Sequence, residues 1–372
     1  MNNNQVSSKD ISGNEKIVFI HILRGLAPII VLWTHVPGLW LLERNEIWSF
    51  FQFYKIIILA PLQISDGGGQ LGVIIFFLIS GYIISAVAQK ETRTEFLVKR
   101  ILRLFPTLFV CSAISFILVT MSNAYDLGPI YSTNAVALVD FIKSAFMLSW
   151  FTESPRALSV AWSLMPEIIF YVIVSLLINF MRNFPVRSTL CMLGIYALLT
   201  FPMRKVPYLS YFGYFTVYLP IFFVGRILYL EQQKKISGQQ AIALFVISAS
   251  IFISVYNGRF PGELFRTDSG RIWNYVLGIG IFYGLMISGV RSCPRPISFF
   301  ADISYALYLV HLPVGIFILN VMARVHLPFS VKCFIAIASA IIFAIIIHHL
   351  VERPAQRFAR HLLTQIKGMS RP

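Results

Sequence analysis

The sequence contains little charge and no long polar stretch. Only 13% of its 372 residues are charged and 57% are hydrophobic, whereas about a quarter of the residues in a soluble domain are charged. The mean hydropathy is +0.74. A separate soluble domain is therefore excluded, and the composition predicts an all-α, polytopic membrane protein.

Several chemical signatures are also missing. The four cysteines show no C-x-x-C spacing, so neither a zinc site nor a disulfide framework is expected. There is no G-x-S-x-G elbow, no Walker loop and no H-E-x-x-H motif. The net charge of +15 is typical of the Lys and Arg residues in the cytoplasmic loops of membrane proteins. We therefore expect no metal and no nucleic-acid partner.

Apolar segments of near-bilayer length make up most of the chain. We predict about ten transmembrane helices, at residues 17–42, 71–89, 104–122, 157–181, 188–203, 211–230, 240–256, 272–290, 302–323 and 331–351. The apolar segment 139–151 is shorter and is predicted to be interfacial or re-entrant. Lys and Arg concentrate in the cytoplasmic loops if the N-terminus is inside, so both termini are predicted to be cytoplasmic.

The predicted organisation has three parts. Residues 1–16 form a polar cytoplasmic N-terminus, residues 17–351 the transmembrane domain, and residues 352–372 a basic cytoplasmic tail. The N-terminal part has no apolar core and no small-residue cleavage site. The helix that begins at Ile17 is therefore expected to be retained rather than cleaved as a signal peptide.

Arg24 and His35 are the most informative residues in the chain. They lie eleven residues apart in the first apolar segment, which returns them to within about 20° of one helix face, about 16 Å apart along the axis. A charge at bilayer depth costs at least about 2.5 kcal/mol, so such residues are read first as functional. An imidazole in a membrane cavity can act as a general base, a proton relay or a metal ligand.

Other charged residues in or beside the predicted spans have two interpretations each. Arg100 and Arg103 share a helix face, and they suit either a phosphate-rich ligand or an ordinary positive-inside anchor. Glu167 lies in an apolar run and must be protonated or paired. We expect its partner to be Arg24 or His35, and an ion pair that only fixes packing is the alternative.

Uncharged polar side chains form two further stripes. Ser163 precedes Glu167 by one helical turn and shares its face. Ser304, Tyr308 and His311 form a polar stripe on another apolar helix.

Two segments are interpreted as structural. Gly72, Ser80 and Gly81 are small residues that allow another helix to approach closely. Segment 348–357 is interpreted as the end of the last span followed by an amphipathic cytoplasmic tail. The aromatic residues of the outside loops favour a belt at the level of the lipid headgroups, although they could also stack on sugars.

Taken together, these segments resemble the membrane acyltransferase-3 family of bacterial O-acyltransferases. Residues 24–35 match its R-x10-H signature, and residues 72–82 resemble its G-V-x-x-F-F-x-x-S-G-aromatic segment. Residues 100–103 match its R-x-x-R motif, and residues 162–171 match its W-S-L-x-x-E-x-x-F-Y run. Residues 304–313 resemble its S-Y-x-x-Y-x-x-H-x-P pattern. The motifs occur in the family's order and span almost the whole chain.

The resemblance implies transfer of an acyl group, commonly acetyl, from cytoplasmic acyl-CoA to a hydroxyl of an extracytoplasmic or lipid-linked glycan such as lipopolysaccharide. The expected location is the bacterial cytoplasmic (inner) membrane, among membrane lipids. His35 is implied as the catalytic histidine and Arg24 as its companion. Arg100 and Arg103 are expected to bind the acetyl-CoA donor.

The remaining motif residues have less defined roles. Glu167 is expected to contribute to catalysis, and the candidates for substrate binding are Trp162, Ser163, Tyr308 and His311. In the mechanism that we expect, His35 acts as general base or acyl relay. Arg24 stabilises the developing negative charge, and Glu167 or another polar group holds the tautomer of His35.

Some relatives in this family carry an added hydrolase-like domain, whereas only a short basic tail follows residue 357. We therefore expect the chain to transfer the acyl group alone, to use a partner, or to accept the glycan directly in the membrane cavity. The partner would be another acyl-transfer protein or a second copy in a homo-oligomer. The alternative from another class is a proton-coupled secondary transporter or flippase without acyl-transfer chemistry. The absence of an internal repeat weakens that alternative.

Overall fold

The computed structural model describes residues 17–130, 136–152, 154–203, 215–259 and 271–369. These residues are almost entirely helical, and they contain no β-strand. The first half of the chain forms α1 (Val18–Glu43), α2 (Ser49–Leu59), α3 (Gly69–Val87), α4 (Arg93–Ala124), α5 (Leu138–Ala145), α6 (Leu164–Asn183) and α7 (Pro185–Met203). The second half forms α8 (Leu219–Gln232), α9 (Gly238–Arg259), α10 (Arg271–Ile287), α11 (Arg295–Asp302), α12 (Ser304–Met322), α13 (Phe329–Ile347) and α14 (Arg353–Met369).

In the described part of the chain, 7 helices are long and apolar enough to cross a membrane, which supports a multi-pass membrane protein. They correspond to α1, α3, α4, α6, α9, α12 and the continuous helix from α13 into α14. The predicted spans 188–203, 211–230 and 272–290 coincide with the shorter helices α7, α8 and α10, and the start of the second of these lies outside the described residues. The number of ten spans therefore stays a prediction.

Helix α4 begins earlier than the predicted span 104–122. The Thr92 hydroxyl accepts a hydrogen bond from the amide of Glu95 at 3.3 Å, and the Glu95 carboxylate accepts one from the amide of Thr92 at 2.7 Å. This reciprocal capping box satisfies amides that the first helical turn leaves without partners. As a result, Arg100 and Arg103 lie on an ordered helix that enters the bundle.

Helix α12 lies at the centre of the bundle. Every residue from Ile303 to Ile316 is buried, which is expected for a helix that is apolar on all faces. It packs against α1, α4 and α13. The polar stripe predicted on α12 therefore lies inside the bundle rather than on its outer surface.

Helices α3 and α8 cross at their glycines. A Cβ atom on Gly81 would lie 2.0 Å from the carbonyl oxygen of Phe222, and one on Gly225 would lie 2.3 Å from that of Leu78. Only glycine permits this backbone approach, so the predicted close packing at Gly81 is confirmed.

Candidate active site

A cavity lies between α1, α3, α4, α6 and α12, and we call it the inner cavity. Its polar wall contains side chains from five of the predicted motifs, which are Arg24, Ser80, Arg103, Ser163, Glu167, Ser304, Tyr305 and Tyr308. Phe76 and Phe77 of α3 contribute apolar surface. The structure thus brings together motif residues that are far apart in the sequence.

A second cavity adjoins the first, and we call it the cationic cavity. It is lined by Arg24, Lys99, Arg100, Arg103, Gln356, Ala359 and Arg360. The shared face predicted for Arg100 and Arg103 is confirmed, because both line this cavity. Arg24 and Arg103 line both cavities and mark the junction between them.

The cations of these walls differ in how they are neutralised. Glu91 accepts from Lys99 at 2.8 Å and lies 3.6 Å from Arg100. Within the described residues, no carboxylate forms an ion pair with Arg24 or Arg103. Positive charge that is half-buried and has no carboxylate partner favours an anionic ligand at the junction.

His35 forms a hydrogen-bonded pair with His311 of α12. Nδ1 of His35 lies 2.8 Å from Nε2 of His311, and Nδ1 of His311 lies 3.1 Å from the carbonyl oxygen of Leu307. A carbonyl can only accept, so Nδ1 of His311 carries a proton and its Nε2, in the neutral ring, accepts from His35. Neutral His35 is therefore protonated on Nδ1, and its Nε2 has a free lone pair that can take a proton.

The free nitrogen of His35 faces the start of α3. A Cβ atom on Gly69 would lie 3.5 Å from Nε2 of His35. The preceding loop is held by Thr34, whose hydroxyl donates to the carbonyl of Gly67 at 2.7 Å. Gly67 has a φ of +65°, which is accessible to glycine at little cost. His35 itself lies in a π-helical turn, Thr34–Leu39, a distortion that is frequent at functional sites.

The shared face predicted for Arg24 and His35 is confirmed, because both side chains contact α12. Arg24 donates to the hydroxyl of Ser304 at 3.3 Å, and His35 contacts His311. These two residues of α12 are seven positions apart, or about 10 Å along the helix. Arg24 thus lies at the cavity junction, and the expectation that it stabilises developing negative charge stays a prediction.

Glu167 lines the inner cavity, but its partners are not those predicted. Its Oε1 atom accepts a hydrogen bond from Ser80 at 2.9 Å and another from Tyr171. Neither Arg24 nor His35 is bonded to it, so the predicted pairing is wrong. The physical reason is that Glu167, on α6, lies against α3. His35 lies farther along α1 than Arg24, toward the C-terminal end of that helix.

The predicted substrate-binding residues separate into two groups. Ser163 and Tyr308 line the inner cavity, with their hydroxyl oxygens 2.7 Å apart, and Tyr308 also donates to the carbonyl of Val160 at 3.2 Å. The ring of Tyr308 lies 5.9 Å from that of His311, so it connects the cavity to the histidine pair. Trp162 lines neither cavity, and its ring packs 5.2 Å from that of Tyr218.

Sequence reasoning missed three cavity residues. Ser80 was interpreted only as a small packing residue, but it binds Glu167. Gln356 and Arg360 belong to the segment interpreted as a helix end and tail, yet they line the cationic cavity. The spacing of Arg353, Arg357 and Arg360 was an available signal, since it repeats at helical intervals.

Comparisons with known proteins identify relatives of this chain. Nodulation protein 10 of Rhizobium leguminosarum bv. viciae is 27% identical over 274 residues, covering 65% of this chain and 71% of that protein. O-acetyltransferase OatA of Staphylococcus aureus is 25% identical over 331 residues, covering 78% of this chain and 53% of OatA. The chain thus spans about half the length of OatA. No solved structure matches the chain.

The family profile provides the assignment. The profile of the acyltransferase 3 family, described as an acyltransferase domain, matches residues 17–349. This range contains every motif residue that was predicted to act in catalysis or binding. The chain therefore belongs to the acyltransferase 3 family, and the prediction that it is an acyltransferase is confirmed.

Proposed function

We propose that this chain transfers an acyl group, with acetyl the first choice, from cytoplasmic acyl-CoA to a hydroxyl of an extracytoplasmic or lipid-linked glycan. One observation carries the proposal. Arg24 and Arg103, without carboxylate partners among the described residues, lie where a cationic cavity meets an inner cavity. The stripe on α12 leads from that junction to the histidine pair.

The donor binds with its phosphates in the cationic cavity. CoA is a polyanion, and Arg forks bind phosphate oxygens through short charge-assisted hydrogen bonds. Arg100 and Arg103 present such forks from α4, and Arg24 adds another from α1. The pantetheine arm extends past the junction into the inner cavity, whose apolar surface includes Phe76 and Phe77.

The reaction takes place at Nε2 of His35. The acceptor hydroxyl attacks the thioester carbonyl carbon while its proton passes to Nε2, which contributes about 10²–10⁴ in rate. The tetrahedral intermediate collapses as the carbon–sulfur bond breaks, and the CoA sulfur leaves as a thiol with the proton from His35. His311 keeps the proton of His35 on Nδ1, so that Nε2 stays available as the base.

The polar residues of the inner cavity have supporting roles in this proposal. Glu167 offsets part of the positive charge of Arg103 and fixes the hydroxyls of Ser80 and Tyr171. Ser163 and Tyr308 line the path of the acyl arm and offer hydroxyls to its amide groups. The glycan hydroxyl approaches His35 at the start of α3, and the chain acts there alone, with a partner acyl-transfer protein or as a homo-oligomer.

The topology follows from the same proposal. Ten spans, with α7, α8 and α10 counted among them, place both termini on the cytoplasmic side of a bacterial inner membrane. The cationic cavity then opens to the cytoplasm, where acyl-CoA is present. His35 lies toward the opposite face, where an extracytoplasmic glycan is accessible.

Radiolabelled acetyl-CoA and the purified protein test the activity. Label transfer to a lipid-linked saccharide, or release of free CoA, is the expected result. Surface glycans from cells with and without the gene, compared by NMR, identify the acceptor as the glycan that loses its acyl groups. Glycan flux across vesicles without thioester turnover would overturn the proposal in favour of a carrier.

A further inference from the structure

The helix α14 forms one wall of the cationic cavity. Gln356, Ala359 and Arg360 line it from α14, opposite residues of α4. Their spacing of three and four positions places them on one helix face. This helix lies beyond residues 17–349, the range matched by the family profile.

Helix α14 continues α13 without a break and packs against α4. Near its start, the carboxylate of buried Glu352 accepts from His348 at 2.9 Å and from Gln356 at 3.2 Å. Near its end, Lys367 forms an ion pair with Glu95, a residue of the α4 capping box. Between them, Leu363 of α14 is 5% exposed. The ion pair and the buried Leu363 side chain hold α14 against the bundle, where it packs on α4.

Arg360 is the cation that α14 adds to the cavity. No carboxylate among the described residues forms an ion pair with it, whereas Glu91 partly neutralises Lys99 and Arg100. The backbone of Arg360 is helical and its side chain is exposed, so the guanidinium is free to reach a bound anion. The cavity therefore contains more positive charge than a single phosphate group requires.

The position of Arg360 indicates which part of the donor molecule it contacts. Arg24 and Arg103 line both cavities, so they lie on the side where the acyl arm enters. Arg360 lines only the cationic cavity and not the inner cavity. A donor oriented with its thioester toward His35 places its nucleotide end on the side of Arg360.

We propose that α14 completes the donor site and that Arg360 binds the phosphates at the nucleotide end of acyl-CoA. This inference rests on the proposed function, because it takes acyl-CoA as the donor. It makes α14 a determinant of donor choice. A CoA thioester contacts this wall, whereas a phosphopantetheine thioester without the nucleotide does not.

Binding of CoA and of 4′-phosphopantetheine to the full-length purified protein tests the inference. Arg360→Ala is expected to weaken CoA binding about tenfold, the effect of one charge-assisted hydrogen bond. Binding of 4′-phosphopantetheine is expected to stay unchanged. Arg357→Ala is the matched control, because Arg357 is an exposed arginine on the same helix that lines neither cavity. Arg360→Lys, which keeps the charge, is expected to recover part of the affinity.

The outcomes separate the two proposals. If Arg360→Ala and Arg357→Ala bind CoA equally well while the parent protein binds it normally, this inference is overturned and the proposed function stands. If Arg360→Ala weakens both ligands equally, the assignment to the nucleotide end is overturned. A parent protein that neither binds CoA nor turns over acetyl-CoA overturns the proposed function together with this inference.

Discussion

The two ends of the polar path through this protein use different physical chemistry. At one end, His35 and His311 form an uncharged, directional hydrogen-bond chain that ends at the carbonyl of Leu307. At the other, the arginines of the cationic cavity exceed the carboxylates that pair with them. A hydrogen-bond chain selects one tautomer, whereas excess charge selects an anion. We therefore expect changes at the first end to affect turnover and changes at the second to affect donor affinity.

Replacing His35 is expected to have the largest effect. His35→Ala removes the base and should reduce acyl transfer by about 10²–10⁴-fold, while CoA binds with unchanged affinity. Transfer of labelled acetyl to glycan and CoA binding are measured on the same preparation. His326→Ala, at an exposed histidine in the loop before α13, is the control. Normal acylation by His35→Ala would contradict the assigned role.

Replacing His311 tests whether it acts through His35. His311→Leu removes the acceptor for Nδ1–H of His35, so kcat should fall by about 10²-fold, at the lower end of general acid–base effects. KM for acyl-CoA should change little. His311→Gln offers a side-chain oxygen to the same proton and should retain more activity. Equal losses in both variants, with KM raised, would indicate a packing role instead.

Arg100 and Arg103 of α4 should differ in how much each contributes to CoA affinity. Arg103→Ala removes a cation without a carboxylate partner among the described residues and should weaken CoA binding by about 10–100-fold. Arg100→Ala should have a smaller effect, because Glu91 already neutralises part of its charge. Affinity for CoA measured by titration calorimetry distinguishes them, with Arg291→Ala at an exposed position as the control. Identical affinities in all three variants would remove the donor site from this cavity.

Salt concentration should have the smallest effect, and it should separate CoA affinity, which depends on charge, from kcat, which depends on the histidine pair. The Debye length falls from about 10 Å at 0.1 M to about 3 Å at 1 M ionic strength, so added KCl should weaken CoA binding several-fold. At saturating donor, kcat should stay constant, because the histidine chain is uncharged. Steady-state rates at several KCl concentrations measure both quantities. A salt-dependent kcat with constant KM would contradict the assignment of charge effects to donor binding and of turnover to the uncharged histidine pair.

Much of the site could be predicted from local spacing. Helical periodicity alone places Arg24 and His35 on one face, and the same holds for Arg100 with Arg103 and for Ser163 with Glu167. The partners across helices could not be predicted in this way. Glu167 binds Ser80 of α3 rather than a residue of α1, because that choice depends on which helices touch.

The helix boundaries could also not be fully predicted from the sequence. Apolar length located the core of α4, but the capping box at Thr92 extends the helix at its N-terminal end. Polar residues that continue a helix beyond the apolar run are not detected by hydropathy. The same reason explains why Gln356 and Arg360 were read as part of a tail.

The order of residues was sufficient to establish an all-helical membrane protein, its family and the faces that carry polar groups, because composition and helical period are local properties. The tertiary structure alone decided that His35 meets His311, a residue 276 positions away. It also decided that Arg24 and Arg103 share a junction between two cavities and that α14 adds a wall to one of them. These contacts depend on the close crossing of whole helices, as at Gly81 and Gly225, and on which side chains each crossing leaves facing a cavity.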